Sequence, residues 1–172
     1  DDSPMGSLRF GQKFLNGRSV NDLLSTLEAR GIGVMPIEES YVAKNDPISN
    51  VMAQSCYFAK YSYASCNPVY FNAKDHDNCW WGNGYMIDWT NPDGAALWHD
   101  KKRQELVNYA VVGHWTDLGE PEIYREFSYY KGFNVSGQIK DKHGDIHNVY
   151  NLLWHKSIYD GYRRNQTPQR NF

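Results

Sequence analysis

Ser19 to Glu39 reads S-V-N-D-L-L-S-T-L-E-A-R-G-I-G-V-M-P-I-E-E, and this stretch decides the fold class. Val20, Leu23, Leu24 and Leu27 recur at spacings of three and four, which predicts a helix over Ser19 to Arg30. Ser19 is placed to cap it, Asp22 lies in its first turn and Gly31 is placed to end it. Gly33-Val34-Met35-Pro36-Ile37 follows as an apolar run of strand length, and the acidic pair Glu38-Glu39 comes directly after. Helix, glycine, short buried strand and then polar residues at the strand's C-terminal end is the signature of an α/β fold with a parallel sheet.

The same signature returns twice. Tyr85-Met86-Ile87-Asp88 reads as a strand ending in a carboxylate. Thr90-Asn91-Pro92 then offers a cap with proline at the first helical position, which predicts a helix over about Asp93 to Tyr109 with Leu97, Trp98, Leu106 and Val107 among its apolar residues. Ala110 to Trp115 reads as a third strand, ending in Thr116-Asp117. A polar excursion from Tyr124 to Gly144 leads to a last helix over about Ile146 to Arg163, with Asp145 as candidate cap and Val149, Leu152 and Leu153 on its buried side. Residues 41–84 lack periodicity, and a connection that long implies a functional loop or small subdomain over the strand ends. Strand, carboxylate, loop, helix is how a (β/α)8 barrel presents its chemistry, at the C-terminal ends of its strands. A doubly wound open sheet would do the same, but no glycine-rich phosphate loop supports one.

Composition narrows the function classes. With 172 residues the chain fits one domain. A formal charge of −2 without a long basic block gives no electrostatic claim on nucleic acid or an anionic membrane. The densest basic run, Lys101-Lys102-Arg103, reads as a solvated helix face. No apolar stretch approaches membrane-span length, no signal-peptide pattern opens the chain, and its first residue, Asp1, implies processing or excision. Cys56, Cys66 and Cys79 are odd in number and lack C-x-x-C spacing, so free or buried thiols are expected. The six histidines show no metal-ligand spacing, and no cofactor or metal is expected. Asn134-Val135-Ser136 and Asn165-Gln166-Thr167 match the short glycosylation pattern, which recurs by chance. Aromatic content of 15%, with six Trp and thirteen Tyr, suits stacking on the C–H faces of sugar rings, although packing uses aromatics more often.

Glu38/Glu39, Asp88 and Asp117/Glu120 would converge on one mouth in a barrel. Glycoside hydrolysis needs two carboxyl groups, a nucleophile or base and an acid that protonates the leaving oxygen. Asp117 is the better nucleophile candidate: it follows an apolar strand, Trp115 shares its face and Leu118 flanks it. The plainer reading makes Asp117 and Glu120 caps of the next helix.

Val112 to Glu122, V-G-H-W-T-D-L-G-E-P-E, resembles the catalytic segment of glycoside hydrolase family 31, the α-glucosidases, α-xylosidases and related α-transglycosylases. Asp88-Trp89-Thr90-Asn91-Pro92, Trp80-Trp81-Gly82 and His147-Asn148-Val149-Tyr150 resemble further motifs of that family in the same order. The resemblance implies a partial (β/α)8 TIM barrel, about its first half with strands 2 to 4, their helices and a loop-rich insertion at about 41–84. Residues 1–172 would be a fragment of one catalytic domain, needing the remainder of that domain as partner.

The resemblance also implies roles. Asp117 would be the nucleophile of a retaining α-glycosidase. Asp1 (or Asp2), Ile37, Trp80, Trp115 and Leu118 would line the subsite of the attacked sugar, while Asp88 and Glu120 would support it. His147 and Asn148 are otherwise helix-start caps. The chain departs from the family at Ile37-Glu38-Glu39-Ser40-Tyr41, where the usual pattern is I-D-P-x-I, and this leaves room for a transglycosylase. The family's acid/base aspartate lies beyond the matching residues. The expected activity is therefore α-glucosidase-like, on an oligosaccharide or α-glucoside, with the isolated chain inactive. The alternatives are α-glucosyl transfer and a non-catalytic carbohydrate-binding fragment.

Overall fold

The structure is a computed structural model and describes residues 4–72, 82–109, 111–122 and 124–165. In chain order its first elements are α1 (Gln12–Leu15), α2 (Val20–Glu28), β1 (Ile37–Glu39), β2 (Tyr41–Ala43), α3 (Pro47–Gln54), β3 (Tyr70–Phe71) and β4 (Gly84–Met86). A helical run follows: α4 (Pro92–Trp98), a π-helical turn (His99–Arg103) and α5 (Gln104–Asn108). Then come β5 (Trp115–Asp117), the strands β6 (Tyr129–Val135) and β7 (Gln138–Lys142), α6 (His143–Ile146), a 3₁₀ turn (His147–Val149) and α7 (Tyr150–Arg164).

The opening stretch folds as its residues dictate. The Ser19 hydroxyl accepts from the Asp22 amide at 3.1 Å. At the other end Ile32 N–H bonds to Leu27 O at 3.0 Å and Gly31 N–H to Glu28 O at 2.8 Å, with Gly31 at φ +73°. That pair of bonds closes a helix on a left-handed residue, which glycine adopts without Cβ strain. β1 then runs parallel to β5, with Ile37 opposite Trp115, Glu38 opposite Thr116 and Glu39 opposite Asp117. Bonds from Val112 N–H to Val34 O and from Trp115 N–H to Pro36 O, both 3.0 Å, extend the pairing backwards. Both strands thus sit further along the chain than the apolar runs predict, and their acidic residues belong to the strands themselves.

The strand expected over Tyr85–Asp88 is different. β4 is the centre of an antiparallel sheet, between β2 and β3. Gly84 makes this possible, since a Cβ there would meet Val42 O at 2.1 Å. A short apolar run bounded by turns looks the same in a parallel or an antiparallel sheet, and periodicity cannot separate them. Among the described residues the parallel sheet therefore has two strands, and no barrel is closed. Residues 41–72 are not merely loop: they carry β2, α3 and β3, and a disulfide joins Cys56 to Cys66, whose Cα atoms lie 4.6 Å apart. This corrects the expectation of free thiols for those two. An odd cysteine count hid the pair, and Cys79 lies outside the described residues.

The helices bring three further corrections. Arg103 is fully buried and Lys102 pairs with Asp46 at 2.7 Å, so the basic run is not a solvated face. The π turn adds residues to the helical circuit and swings Arg103 inward. On α7 the buried residues are Tyr150, Trp154, Ser157, Gly161 and Tyr162, whereas Leu152 is exposed. Asp145 caps nothing; it lies inside α6 and faces Lys140 at 3.9 Å. The 3₁₀ turn likewise has no side-chain cap, and His147 Nδ1 lies 3.0 Å from Asn148 Oδ1. The polar excursion after Tyr124 forms the β6–β7 hairpin. The core gathers Tyr41, Met52, Phe58, Met86, Trp98 and Trp154 between the antiparallel sheet and the helices.

Candidate active site

Side chains alternate along a strand, so the β1–β5 pair has two unlike faces. Ile37, Glu39, Trp115 and Asp117 share one face, and Glu38 and Thr116 the other. On the first, Ile37 is 45% and Trp115 56% exposed, as is Met35 at 55%. The sequence-predicted nucleophile, its aromatic neighbour and the predicted subsite residue Ile37 are thus brought together on a face left open by the described residues.

Asp117 is half-buried at the end of β5, and its Oδ1 accepts from the Leu118 amide at 3.0 Å. Leu118 holds φ +58°, a left-handed conformation that costs a non-glycine residue about 1–2 kcal/mol. The chain turns sharply there and returns an N–H to the carboxylate. Gly119 lets this turn lie against α7, where a Cβ would meet the Asn151 side chain at 2.7 Å. Thr116 Oγ1 meets His155 Nε2 of α7 at 2.5 Å, fixing the strand from its other face. Glu120, expected to support the subsite, is exposed and makes no side-chain hydrogen bond among the described residues.

Glu39 lies next to Asp117 across the strand pair. It is 8% exposed and its Oε2 has no hydrogen-bond partner among the described residues. Burial, then the charges of Asp117 and Glu122, push its carboxyl up to about 7.

Glu38 faces the helices and does not join the mouth. Its carboxylate accepts from Arg103 (Nη2, 2.6 Å), Trp154 Nε1 (2.9 Å) and Trp98 Nε1 (3.1 Å), and His114 Nδ1 stands 3.7 Å away. Burial alone would raise its pKa; the Arg103 guanidinium beside it, with His114 and the Trp154 N–H, reverses this and holds it below the usual carboxylate range. Arg103 also donates to Ser157 at 3.0 Å and lies 5.0 Å over the Trp89 ring. One ion pair therefore ties β1 to the π turn and to α7, and sets the height of the strand ends. Sequence reasoning missed Arg103, although a buried strand glutamate calls for a cation somewhere.

Asp88 is spent on local structure. It accepts from Thr90 N–H (2.9 Å), Thr90 Oγ1 (2.5 Å) and the Lys131 amide (2.6 Å), joining the turn before α4 to the hairpin. Burial pushes it up to about 6, against those hydrogen bonds. Asp1 and Trp80 lie outside the described residues. Beyond the nucleophile turn a cleft of about 670 Å³ opens beside the hairpin, lined by Tyr124, Phe127, Tyr129, His143, His147 and Asn148. Tyr124 stacks on His143 at 4.2 Å, and Phe127 is 85% exposed. Among the described residues no group of histidines, cysteines and carboxylates could hold a metal, and no helix is long and apolar enough to cross a membrane.

The family model described as the glycosyl hydrolases family 31 TIM-barrel domain matches residues 11–172. Alpha-glucosidase 2 of Bacillus thermoamyloliquefaciens is 28% identical over 163 residues, which is 90% of this chain and 19% of that protein. Alpha-xylosidase XylQ of Lactiplantibacillus pentosus is 24% identical over 144 residues, 80% of this chain and 16% of that one. The chain thus spans less than a fifth of the length of these curated relatives. Among solved structures, a GH31 dextranase of Flavobacterium johnsoniae complexed with glucose has a TM-score of 0.74 at 18% identity, covering 94% of this chain and 19% of that chain. At that identity the likeness is one of fold.

Proposed function

The chain belongs to glycosyl hydrolase family 31, and on that premise we propose that it carries the nucleophile half of a retaining α-glycosidase active site, with Asp117 as the nucleophile. The observation that supports this most is the shared face of β1 and β5, where Asp117 stands at a strand end beside Trp115 and Ile37. β1 and β5 are then neighbouring strands of a (β/α)8 barrel, connected through the elements from β2 to β4 and the helical run of residues 92–108, and their C-terminal ends face its mouth.

In this reading the Asp117 carboxylate attacks the anomeric carbon and forms a covalent glycosyl-enzyme, while an acid from the rest of the domain protonates the departing oxygen. Trp115 and Ile37 hold the ring of the attacked sugar, and Leu118 closes the apolar side. Trp80 and Asp1 belong to the same subsite. Asp88 supports it from the turn before α4, and Glu120 is the exposed flank of the nucleophile turn. The substrate is an oligosaccharide or α-glucoside. Hydrolysis and transfer share the intermediate, so a sugar acceptor with product analysis separates an α-glucosidase from an α-glucosyltransferase.

In the complete enzyme, Asp117→Ala removes turnover of an aryl α-glucoside, and a slow fluorinated glycosyl substrate labels the peptide carrying Asp117. Wild-type turnover by the Asp117→Ala enzyme would sink the assignment. The exposed Trp115 and the aromatic cleft also suit a non-catalytic carbohydrate-binding piece. That reading expects sugar binding by calorimetry and no glycosyl-enzyme.

A further inference from the structure

We propose that Glu39 is a positioning residue for the nucleophile: as a protonated acid it donates a hydrogen bond to the second oxygen of Asp117 and holds the first toward the sugar. The inference rests on the reading of Asp117 as nucleophile. Its ground is register. Glu39 and Asp117 are direct partners on adjacent parallel strands and therefore emerge on one face, with the strands about 4.8 Å apart. Asp117 Oδ1 is engaged by the Leu118 amide at 3.0 Å, and no hydrogen bond from the described residues reaches Oδ2. Glu39 is buried, with Oε2 lacking a hydrogen-bond partner among the described residues, and a buried polar atom left so costs stability unless something arrives to satisfy it. The register puts both carboxyl groups on one face, and one proton shared between Glu39 Oε2 and Asp117 Oδ2 would satisfy the buried oxygen.

The charges around the corner say which group keeps that proton. Asp117 on β5 and Glu122 in the turn beyond it both act on Glu39, and burial acts more strongly than either. On β1 itself Glu38 points the other way, toward Arg103 of the π turn and His114 before β5, and among the described residues the charges that act on Glu39 are those of Asp117 and Glu122. The more buried Glu39 keeps the proton up to about pH 7. Above that pH the donor is lost and a second negative charge stands beside the nucleophile. Glu39 is not the catalytic acid in this arrangement. Adjacent strands put it on the nucleophile's side of the sugar, whereas the acid must reach the glycosidic oxygen from the opposite side.

The test uses the complete enzyme, with kcat and KM followed over pH for wild type, Glu39→Gln, Glu39→Leu and Asp117→Ala. Glu39→Leu is expected to lose kcat on the order of 10- to 100-fold with KM little changed, the scale of one charge-assisted hydrogen bond. Glu39→Gln, whose amide still donates, restores most of that loss. It also removes the fall in kcat that wild type shows as pH rises through about 7. If Glu39→Leu fails to fold, the Glu39→Gln profile alone decides. A Glu39→Gln profile superimposable on wild type through that range overturns the inference. So does a Glu39→Gln enzyme that keeps aryl glycosides with good leaving groups but loses natural linkages, since that is the behaviour of a missing acid. Turnover by Asp117→Ala would instead bring down the nucleophile assignment on which the inference stands.

Discussion

At the scale of single residues, the sharpest contrast is between Glu38 and Glu39, neighbours in sequence with opposite surroundings. Glu38 is buried against Arg103 and two indole N–H groups; Glu39 has neighbouring carboxylates and, among the described residues, an oxygen without a hydrogen-bond partner. Removing one partner of a buried pair strands the other charge, so Glu38→Ala should destabilise the complete domain by about 3–5 kcal/mol, measured by denaturant unfolding. Replacing Glu38 and Arg103 together by Leu and Met should recover much of that loss. The pH dependence follows from the sign of the shift. The folded pKa of Glu38 lies below 4.5, so its contribution is present above that value and is lost as the pH falls through the folded pKa. Acid unfolding monitored by circular dichroism should therefore begin at a higher pH in any variant that weakens the Arg103 contact.

At the scale of elements, the hairpin hangs on two close approaches. Gly132 holds φ +75°, and a Cβ there would meet Lys140 O at 2.4 Å. Its amide donates to Thr90 Oγ1 at 2.7 Å, next to the Lys131 amide on Asp88. Gly132→Ala should cost more than about 1–2 kcal/mol from the left-handed backbone alone. It should also accelerate hydrogen exchange at the Lys131 amide, whereas exchange unchanged at that amide would show the hairpin seated by other contacts. Gly161→Ala should be comparably harmful, about 1–3 kcal/mol of overpacking, because its Cβ would run into the His99 ring at 2.1 Å. The elements also show what the sequence could reveal. α2, its serine cap and its glycine stop were legible because they depend on residues within one turn of each other. So was Asp117 at a strand end. The direction of β4, the pairing of Cys56 with Cys66 and the inward turn of Arg103 were not, because each is decided by a partner distant in the chain. The meeting of Glu39 with Asp117 is of the same kind, since 77 intervening residues separate two side chains that strand register sets side by side.

At the scale of the whole molecule, the open face of the parallel pair governs behaviour. Met35, Ile37 and Trp115 lie uncovered there, and among the described residues β1 and β5 pair only with each other. Unpaired strand edges beside an apolar surface recruit other chains. The isolated chain should therefore associate in sedimentation velocity, and Ile37→Lys should reduce that association. A monomer of unchanged mass at every concentration would rule this out. The disulfide has a consequence of another kind. Lys60 lies inside the ring closed by Cys56 and Cys66, in a segment where Tyr61 and Tyr63 are exposed. Trypsin cutting after Lys60 would leave two polypeptides joined by sulphur, which travel as one band on a non-reducing gel and part only when dithiothreitol is added.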